Sequence, residues 1–427
     1  MTTSLNNWAG NYTYTAPRLH YPETLEQVQE LVSRSSKLKV LGSRHSFNSI
    51  ADTPGDLVSL DRLGASGPLL TLDRERHTVT ISAAARYGQI NRQLHREGYA
   101  LRNLASLPHI SVAGACATAT HGSGDHNGTL ATAVRAMEVV TADGSMLVLS
   151  RDLSGDKFAG AVVALGGLGV VTKLTLDVVP AFDMRQDVYE HLPLSQLVDH
   201  FEQIVSGADS VSLFTRWQDD LVDQVWLKRR VTDEDEFAPA SELFGATLAP
   251  THLHPIPSLS AESCTEQMGV RGPWFERLPH FRMDFTPSSG EELQSEYLVP
   301  RQHVIAAINT LFGLSARLAP LLQVTEVRTI AADDLWMSPC YQQACVGIHF
   351  TWKKDWDAVR QLLPVIEEQL APLEARPHWG KLFTMPPQRV RLLYPKLPDF
   401  QRLLRSYDPQ GKFRNAFLDR YIFGEDR

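Results

Sequence analysis

The sequence predicts an α+β protein of two domains that share one active site. Its 427 residues exceed the usual length of a single domain. The chain up to Pro180 alternates strand-like and helix-like patterns, whereas the remainder mixes both with more aromatic residues and several proline-rich loops. We therefore place a domain boundary near residue 180, and we expect residues 232–262 to form a surface excursion rather than a linker.

Composition and charge argue against several classes of protein. The net charge of -8 and the pI near 6.0 do not fit a nucleic-acid-binding surface, which needs clustered lysine and arginine. The short basic run Lys228-Arg229-Arg230 is expected to be a solvated strand end. Residues 1–14 lack the layout of a signal peptide, and the longest apolar run, 161–171, is too short to span a bilayer. We expect a cytoplasmic protein with neither membrane nor nucleic-acid partners.

The four cysteines, Cys116, Cys264, Cys340 and Cys345, are too few and too scattered for a disulfide framework. They also lack paired CxxC spacing, so the sequence predicts no structural zinc site and no other metal site. We interpret all four as buried apolar thiols.

The first domain opens with alternating helix and strand patterns. They predict a helix over 22–34, a strand over 38–41, a strand over 77–83 and a helix over 87–97. Pro22 and Glu23 suit the first turn of the first helix, and Gly98 closes the second. This alternation indicates α/β organisation within the first domain.

Small residues dominate the stretch 104–124, which is the least ordinary part of the chain. Neither a core helix nor a solvated loop needs so many glycine, alanine, serine and threonine residues together, but a backbone pressed against a flat or extended ligand does. Beyond it, strands over 133–140 and 145–149 meet at the Asp-Gly pair 143–144, a hairpin signature. A further strand pattern covers 170–179.

Residues 40–48 form a strand that runs into a glycine- and serine-containing turn, Gly42-Ser-Arg-His45-Ser. Such a turn can aim successive backbone N–H groups at a pyrophosphate. It is neither a Walker loop nor a GxGxxG motif. Taken alone, the segment fits an ordinary strand-to-helix connection with an exposed histidine somewhat better.

Two further motifs follow in the chain. They are Ser-Leu-Pro-His-Ile-Ser-Val-Ala-Gly at 106–114, continued by Ala-Thr-Ala-Thr-His-Gly at 117–122, and Pro-His-Trp-Gly-Lys at 377–381. In this order, and together with the turn at 42–46, they resemble the vanillyl-alcohol oxidase type of flavoenzyme over essentially the whole chain. Within that superfamily the sequence is similar to the alditol oxidases, with the sugar-lactone oxidases as near relatives.

The resemblance implies a PCMH-type FAD-binding fold and a covalent flavin. Residues 1–180 would bind FAD, residues 181–375 would form a substrate-binding cap, and residues 376–427 would return to the FAD domain. A ring nitrogen of His45 would be bonded to the 8α-methyl carbon of the flavin. The cofactor-binding residues implied in this way are Val40, Leu41, Gly42, Ser43, Arg44, His45, Ser46, Ser106, Ser111, Gly114, Thr118, Ala119, Thr120, His121, Val171, Arg328 and His378.

Arg44 departs from the resemblance, because many relatives have glycine at this position. If the position requires a positive φ, an arginine there costs about 1 to 2 kcal/mol. A guanidinium near two phosphates would offset that cost.

The substrate side is expected beyond residue 180. Strand alternation in 323–329 places Glu326 and Arg328 on one face, and the strand that follows presents His349 and Thr351 in the same way. A carboxylate beside a guanidinium is usually a solvated surface pair. The resemblance reverses that interpretation, because alditol oxidases use such a strand as the floor of the pocket, and it predicts a polar wall on adjacent strands.

A polar wall suits a substrate that bears a hydroxyl on every carbon, since each buried hydroxyl needs a partner. As cations, Lys381 and Arg328 would stabilise alkoxide character at the reacting carbon and negative charge on the reduced flavin. The implied catalytic residues are Arg328, Lys381, Glu326 and His349, and the implied substrate-binding residues are Ser106, Glu326, Arg328, Thr351 and Lys381.

We predict oxidation of the terminal hydroxyl of an alditol such as xylitol or sorbitol to the aldose, with dioxygen reduced to hydrogen peroxide, by a protein for which a monomer is favoured. A sugar-1,4-lactone oxidase or dehydrogenase is the alternative within the family. A quinone- or cytochrome-linked dehydrogenase also stays open, because oxygen access depends on small side chains such as Ala105. A non-catalytic nucleotide-binding module is the alternative from another class.

Overall fold

The computed structural model describes residues 5–64, 67–233, 238–285 and 291–425. Ten strands precede residue 181: β1 (Arg18–His20), β2 (Leu38–Val40), β3 (Asp56–Val58), β4 (Leu70–Asp73), β5 (Thr78–Ser82), β6 (Tyr99–Ala100), β7 (Val134–Val140), β8 (Met146–Ser150), β9 (Val170–Asp177) and β10 (Val179–Pro180). Ten follow it: β11 (Asp183–Pro193), β12 (Ser210–Thr215), β13 (Leu221–Val231), β14 (Glu242–Leu243), β15 (Ala246–Leu248), β16 (Gly272–Pro273), β17 (Glu292–Pro300), β18 (Leu322–Ile330), β19 (Cys345–Lys353) and β20 (Arg376–Pro377).

The N-terminal strands form three small sheets. β1, β3 and β2 make a parallel sheet in that order, β4-β5-β9-β7-β8 make an antiparallel one, and β6 pairs with β10. The hairpin of β7 and β8 turns through Gly144, whose φ of 86° suits the Asp-Gly signature in the sequence.

All strands from β11 onward belong to one antiparallel sheet with the order β14-β15-β11-β13-β12-β18-β19-β17-β20, and β16 pairs with β11. β18 and β19 are neighbours, and Glu326 lies opposite His349 in their register. β17 flanks β19 on the other side. The change from the small sheets to the large one falls between β10 and β11, next to the boundary proposed near residue 180.

The helices are α1 (Leu25–Arg34), α2 (Tyr87–Arg96), α3 (Val112–Ala117), α4 (Arg151–Ser154), α5 (Asp156–Val162), α6 (Leu194–Val205), α7 (Val304–Gly313), α8 (Ser315–Leu318), α9 (Trp356–Gln369), α10 (Pro387–Leu392), α11 (Leu397–Tyr407) and α12 (Ala416–Leu418). The expected start of α1 at Pro22 is wrong. The Thr24 side chain accepts a hydrogen bond from the Gln27 N–H and caps the helix, so the first turn begins at Leu25.

The segment after β20 packs against the N-terminal sheets. Phe400 and Phe417 are buried in the same apolar core as Val79 and Leu174 of the five-stranded sheet. The Asn415 side-chain amide donates to three carbonyls in residues 49–52. The chain therefore leaves the large sheet and ends on the N-terminal part.

Two surface expectations need correction. Lys228 is 1% exposed rather than solvated, because its ammonium turns inward from β13; only Arg230 of the basic run is exposed. Within 232–262, residues 234–237 lie outside the described residues; most of the described ones are exposed or half-buried, as expected, but β14 and β15 extend the large sheet. All four cysteines are buried and free, as predicted. No helix in the described part of the chain is long and apolar enough to cross a bilayer.

Candidate active site

A deep cavity lies between the small N-terminal sheets and the large sheet. The turn at 40–47 and the small-residue stretch bound it on one side, and β17, β18 and β19 bound it on the other. Nearly all the residues predicted for cofactor, substrate or catalysis line it. These are Val40, Leu41, Gly42, Ser43, Arg44, His45, Ser46, Ser106, Ser111, Gly114, Thr118, Thr120, His121, Glu326, Arg328, His349, Thr351, His378 and Lys381.

Two predicted cofactor-binding residues do not reach the cavity wall. Ala119 is fully buried in the apolar core, with a left-handed φ of 54°, and Val171 packs between two apolar clusters on β9. The structure thus places their side chains behind the wall, because they serve the packing of the small sheets.

The turn at 40–47 is held from both sides. The Leu41 N–H donates to the Val58 carbonyl at 2.8 Å, and the Phe47 N–H donates to the Gly380 carbonyl at 2.8 Å. Arg44 has a φ of 63°, so the strain considered for a non-glycine residue is present at this position. Its side chain is exposed, and its carbonyl accepts the Trp8 N–H at 2.8 Å.

His45 has a neutral ring with one unpartnered nitrogen. Its imidazole stacks on Trp8 with 5.3 Å between ring centroids. Burial lowers the pKa of His45 to about 4. Its Nδ1 is buried without a hydrogen-bond partner among the described residues. A buried ring nitrogen in this state is available to another group.

Ser111 lies between two glycines that cannot carry a side chain without displacing it. A Cβ on Gly42 would lie 2.6 Å from Ser111 Oγ, and a Cβ on Gly114 would lie 2.7 Å from it. The Ser111 N–H donates to Ser43 Oγ at 3.0 Å, which joins the turn to the start of α3. This cradle and the unpartnered His45 nitrogen fit a flat, extended group such as a flavin nucleotide.

The opposite wall is a row of polar side chains on adjacent strands. Glu326 of β18, His349 of β19 and Glu296 of β17 lie side by side in the strand register. Thr351 and Gln294 form the next pair along β19 and β17, and both line the cavity. Strand alternation thus correctly predicted that the four wall residues lie together. The structure adds a third strand, β17, which was not anticipated.

Glu296 is the centre of a buried ion cluster, and it was missed from the sequence. Lys381 Nζ lies 2.6 Å from its Oε2, and Arg328 Nη2 and His121 Nε2 each lie 3.0 Å from its Oε1. Burial alone would raise the pKa of Glu296, but Lys381, His121 and Arg328 outweigh it and hold the pKa well below its usual range. Glu296 is therefore ionised and joins the two sides of the cavity.

Lys381 also contacts His349. Its Nζ lies 2.5 Å from His349 Nδ1, and His349 Nε2 lies 3.2 Å from Thr351 Oγ1. Burial lowers the pKa of His349 to about 4, with Lys381 acting in the same direction. Burial lowers the pKa of Lys381 as well, while Glu296 opposes that shift. The imidazole is therefore neutral near pH 7.

Glu326 is bound by His280, the second site residue that the sequence did not reveal. His280 Nε2 lies 2.6 Å from Glu326 Oε1, and Arg328 Nε lies 3.5 Å from Glu326 Oε2. Burial would raise the pKa of Glu326, but Arg328 and His280 outweigh it and lower the pKa far below its usual value. The loop that carries His280 also brings Phe281 to the cavity, and residues 254–256 of the supposed surface excursion line it too.

The missed residues differ in how they could have been found. In β17 the polar residues Glu292, Gln294 and Glu296 alternate with the buried residues Leu293, Ser295 and Tyr297, a period of two like that which indicated β18. His280 lies in an irregular loop, and no periodic signal marks it.

Two family models match the chain. One, described as an FAD binding domain, matches residues 16–150, and the other, described as D-arabinono-1,4-lactone oxidase, matches residues 281–421. The alditol oxidase of Streptomyces sp. (strain IKD472 / FERM P-14339) is 49% identical over 98% of this chain and 99% of its own length. The L-gulonolactone oxidase of Scyliorhinus torazame is 25% identical over 99% of both chains.

The solved structure of a solvent-stable cholesterol oxidase superposes with a TM-score of 0.78 at 14% identity, and it covers 98% of this chain and 97% of its own. At that identity the likeness concerns the fold alone. It confirms the predicted α+β, two-domain FAD-binding fold, and the match to residues 16–150 confirms FAD as the cofactor class.

Proposed function

This chain belongs to the alditol oxidase family, and from that premise we propose that it oxidises the terminal hydroxyl of an alditol such as xylitol or sorbitol. Two electrons and two protons leave the CH–OH group, which becomes the aldehyde of an aldose. Dioxygen receives them and becomes hydrogen peroxide. When bound, FAD supplies the hydride acceptor for this reaction.

The observation that carries the proposal is the row of buried polar side chains on β17, β18 and β19. Glu326, Thr351 and Gln294 line the cavity next to a cluster of paired ions. A polyol fits this wall because every hydroxyl can exchange water for a protein partner, whereas an apolar alcohol would leave the wall unpaired.

Each catalytic residue has a proposed task. The Lys381 ammonium and the Arg328 guanidinium favour loss of the hydroxyl proton by stabilising negative charge on the substrate oxygen. Glu326 accepts a hydrogen bond from a neighbouring hydroxyl. The neutral His349 shares a proton with Lys381 through Nδ1 and orients the Thr351 hydroxyl through Nε2. Ser106, whose Oγ lies 3.4 Å from Arg328 Nη1, binds the substrate from the cofactor side.

We further propose that His45 carries the flavin covalently. The neutral ring, its stacking on Trp8 and its unpartnered buried Nδ1 support this attachment. Acid precipitation of the purified protein tests it. The yellow colour is expected in the pellet, and the His45→Ala variant should release its flavin to the supernatant. A colourless wild-type pellet would refute the bond.

The main test of function compares xylitol and sorbitol with L-gulono-1,4-lactone in the same hydrogen peroxide assay. Higher kcat/KM on the alditols is expected. The second candidate is a sugar-1,4-lactone oxidase, and the match to the D-arabinono-1,4-lactone oxidase model over residues 281–421 supports it. Higher kcat/KM on the lactone would favour this candidate. Turnover with a quinone but not with oxygen would indicate a dehydrogenase. Ala105, a buried cavity residue, is the first position to examine in that case.

The cytoplasmic location and the monomeric state stay predictions. Fractionation of the native host and sedimentation of the purified protein check them.

A further inference from the structure

A buried lysine stands behind Glu326 and has no task in the reaction proposed above. Lys228 of β13 is 1% exposed, and its Nζ contacts three acceptors: the Leu278 carbonyl at 2.7 Å, the Pro279 carbonyl at 2.9 Å and His280 Nδ1 at 3.0 Å. An ammonium has three protons, so all of them are used. Lys228 therefore fixes both the loop and the ring of His280.

The contacts determine which nitrogen of His280 carries a proton. The ionised Glu326 can only accept a hydrogen bond, so the ring proton of His280 is on Nε2, which donates to Oε1 at 2.6 Å, and Nδ1 accepts from Lys228. Burial lowers the pKa of Lys228 to about 7 and that of His280 to about 4, while Glu326 opposes both shifts. If the shared proton moves from Nζ to Nδ1, Nε2 still keeps its own proton. In either state Glu326 faces one donor, and it faces one positive charge as long as the pair holds the shared proton.

The same loop is tied to the cofactor side of the cavity. The backbone N–H groups of His280 and Phe281 both donate to the Ser106 carbonyl, at 3.1 and 3.3 Å. The Thr265 N–H donates to the His280 carbonyl at 2.8 Å, and Phe214 and Trp226 pack against the imidazole edge. Hydrogen bonds therefore hold the backbone of His280, and aromatic contacts hold its ring.

We propose that Lys228 and His280 form a positioning pair that presents Glu326 to the substrate as a fixed, ionised acceptor. His280 occupies Oε1, so Oε2, the oxygen beside Arg328, is left for a substrate hydroxyl. The pair is not a route for the proton that the alcohol loses, because the chain of donors ends at two backbone carbonyls inside the protein. This inference rests on the proposed alditol oxidation and names the residues that give its substrate wall one orientation.

Two variants of His280 test the pair with the same functional group at two lengths. In His280→Gln the amide reaches Glu326, whereas in His280→Asn it reaches only the position of Nδ1, next to Lys228. The Asn variant is expected to raise the KM for xylitol about 10- to 100-fold with kcat changed much less, because a bond to a charged acceptor is lost. The Gln variant should stay within about threefold of wild type, since it keeps that bond.

The lysine is tested by Lys228→Met against Lys412→Met as the matched control. Lys412 is also buried and bonds two carbonyls, those of Val32 and Ala142, and it does not line the cavity. Both variants should lower the Tm. Only Lys228→Met should raise the KM for xylitol, because it alone removes the group that holds His280 Nδ1 and thereby keeps Nε2 on Glu326.

Several outcomes would overturn the inference. Equal KM values for the Asn and Gln variants, or equal KM values for the two lysine variants, would make the pair purely structural. Absence of wild-type turnover on xylitol would instead refute the proposed function. In that case ¹⁵N-histidine NMR decides the inference without substrate: a proton on His280 Nε2 in wild type and a shifted Nδ1 signal in Lys228→Met support it, and a proton on Nδ1 with a bare Nε2 contradicts it.

Discussion

At the cofactor end of the cavity the wall is rich in backbone and small side chains around a neutral histidine, whereas at the substrate end it is rich in buried ions. At the first end Gly42 and Gly114 leave room for the Ser111 side chain, and at the second end Glu296, Lys381 and their partners form paired charges. A buried charge is tolerated only with its partner. The cofactor end should therefore be sensitive to volume and the substrate end to charge, and each prediction below tests one side of that difference.

The largest effect is expected at the substrate end. Lys381→Met removes the cation nearest to Glu296 Oε2 and His349 Nδ1 and should lower kcat about 100- to 1,000-fold. The flavin absorption of the purified variant should match that of wild type, and Lys381→Arg should recover part of kcat. Loss of flavin together with activity would show that the two ends are not independent.

The second-largest effect is expected from acid, which should destabilise the substrate end. Burial lowers the pKa of His280 and His349 from 6.5 to about 4, so the unfolded chain takes up protons in that range that the folded chain does not. Their stability contribution is complete above pH 6.5 and is lost as the pH falls towards 4. Asp333 and Glu367, whose pKa values burial raises, act in the opposite direction, whereas His45, whose pKa burial lowers to about 4, adds to the effect of the two histidines.

Urea unfolding measured from neutral pH to about pH 5 checks this prediction. The midpoint should fall as the pH falls, and it should fall less in His349→Asn. An identical decline in that variant would assign the acid sensitivity to other groups.

A volume change at the cofactor end should have an intermediate effect. Gly42→Ala places a Cβ 2.6 Å from Ser111 Oγ and should reduce flavin incorporation about tenfold, because the serine must leave its position. Molecules that retain flavin should show the wild-type KM for xylitol. Gly313→Ala, where no atom lies within 4 Å of the added Cβ, is the control and should bind flavin normally.

The smallest effect is expected for a single neutral hydrogen bond. Thr351→Val keeps the shape of the side chain and should lower kcat/KM for xylitol about 2- to 10-fold, mostly through KM. A much larger loss would mean that Thr351 takes part in the chemistry through its contact with His349.

The sequence was more informative about the cofactor end than about the substrate end. The turn at 42–46 and the small-residue stretch are local in the chain, so a short motif identifies most of that wall; Ala119 and Val171 fall behind it because a motif does not say which side chains point outward. Strand alternation brought Glu326 and His349 together. Glu296 and His280 come from other elements, and only the tertiary contacts bring them to the same carboxylate-lined wall.

The most direct test of the account is anaerobic mixing of the yellow protein with xylitol. We predict that the flavin absorbance bleaches, that one aldose forms per flavin, and that admission of oxygen restores the colour with release of hydrogen peroxide. A flavin that stays oxidised with xylitol but bleaches with L-gulono-1,4-lactone would contradict it.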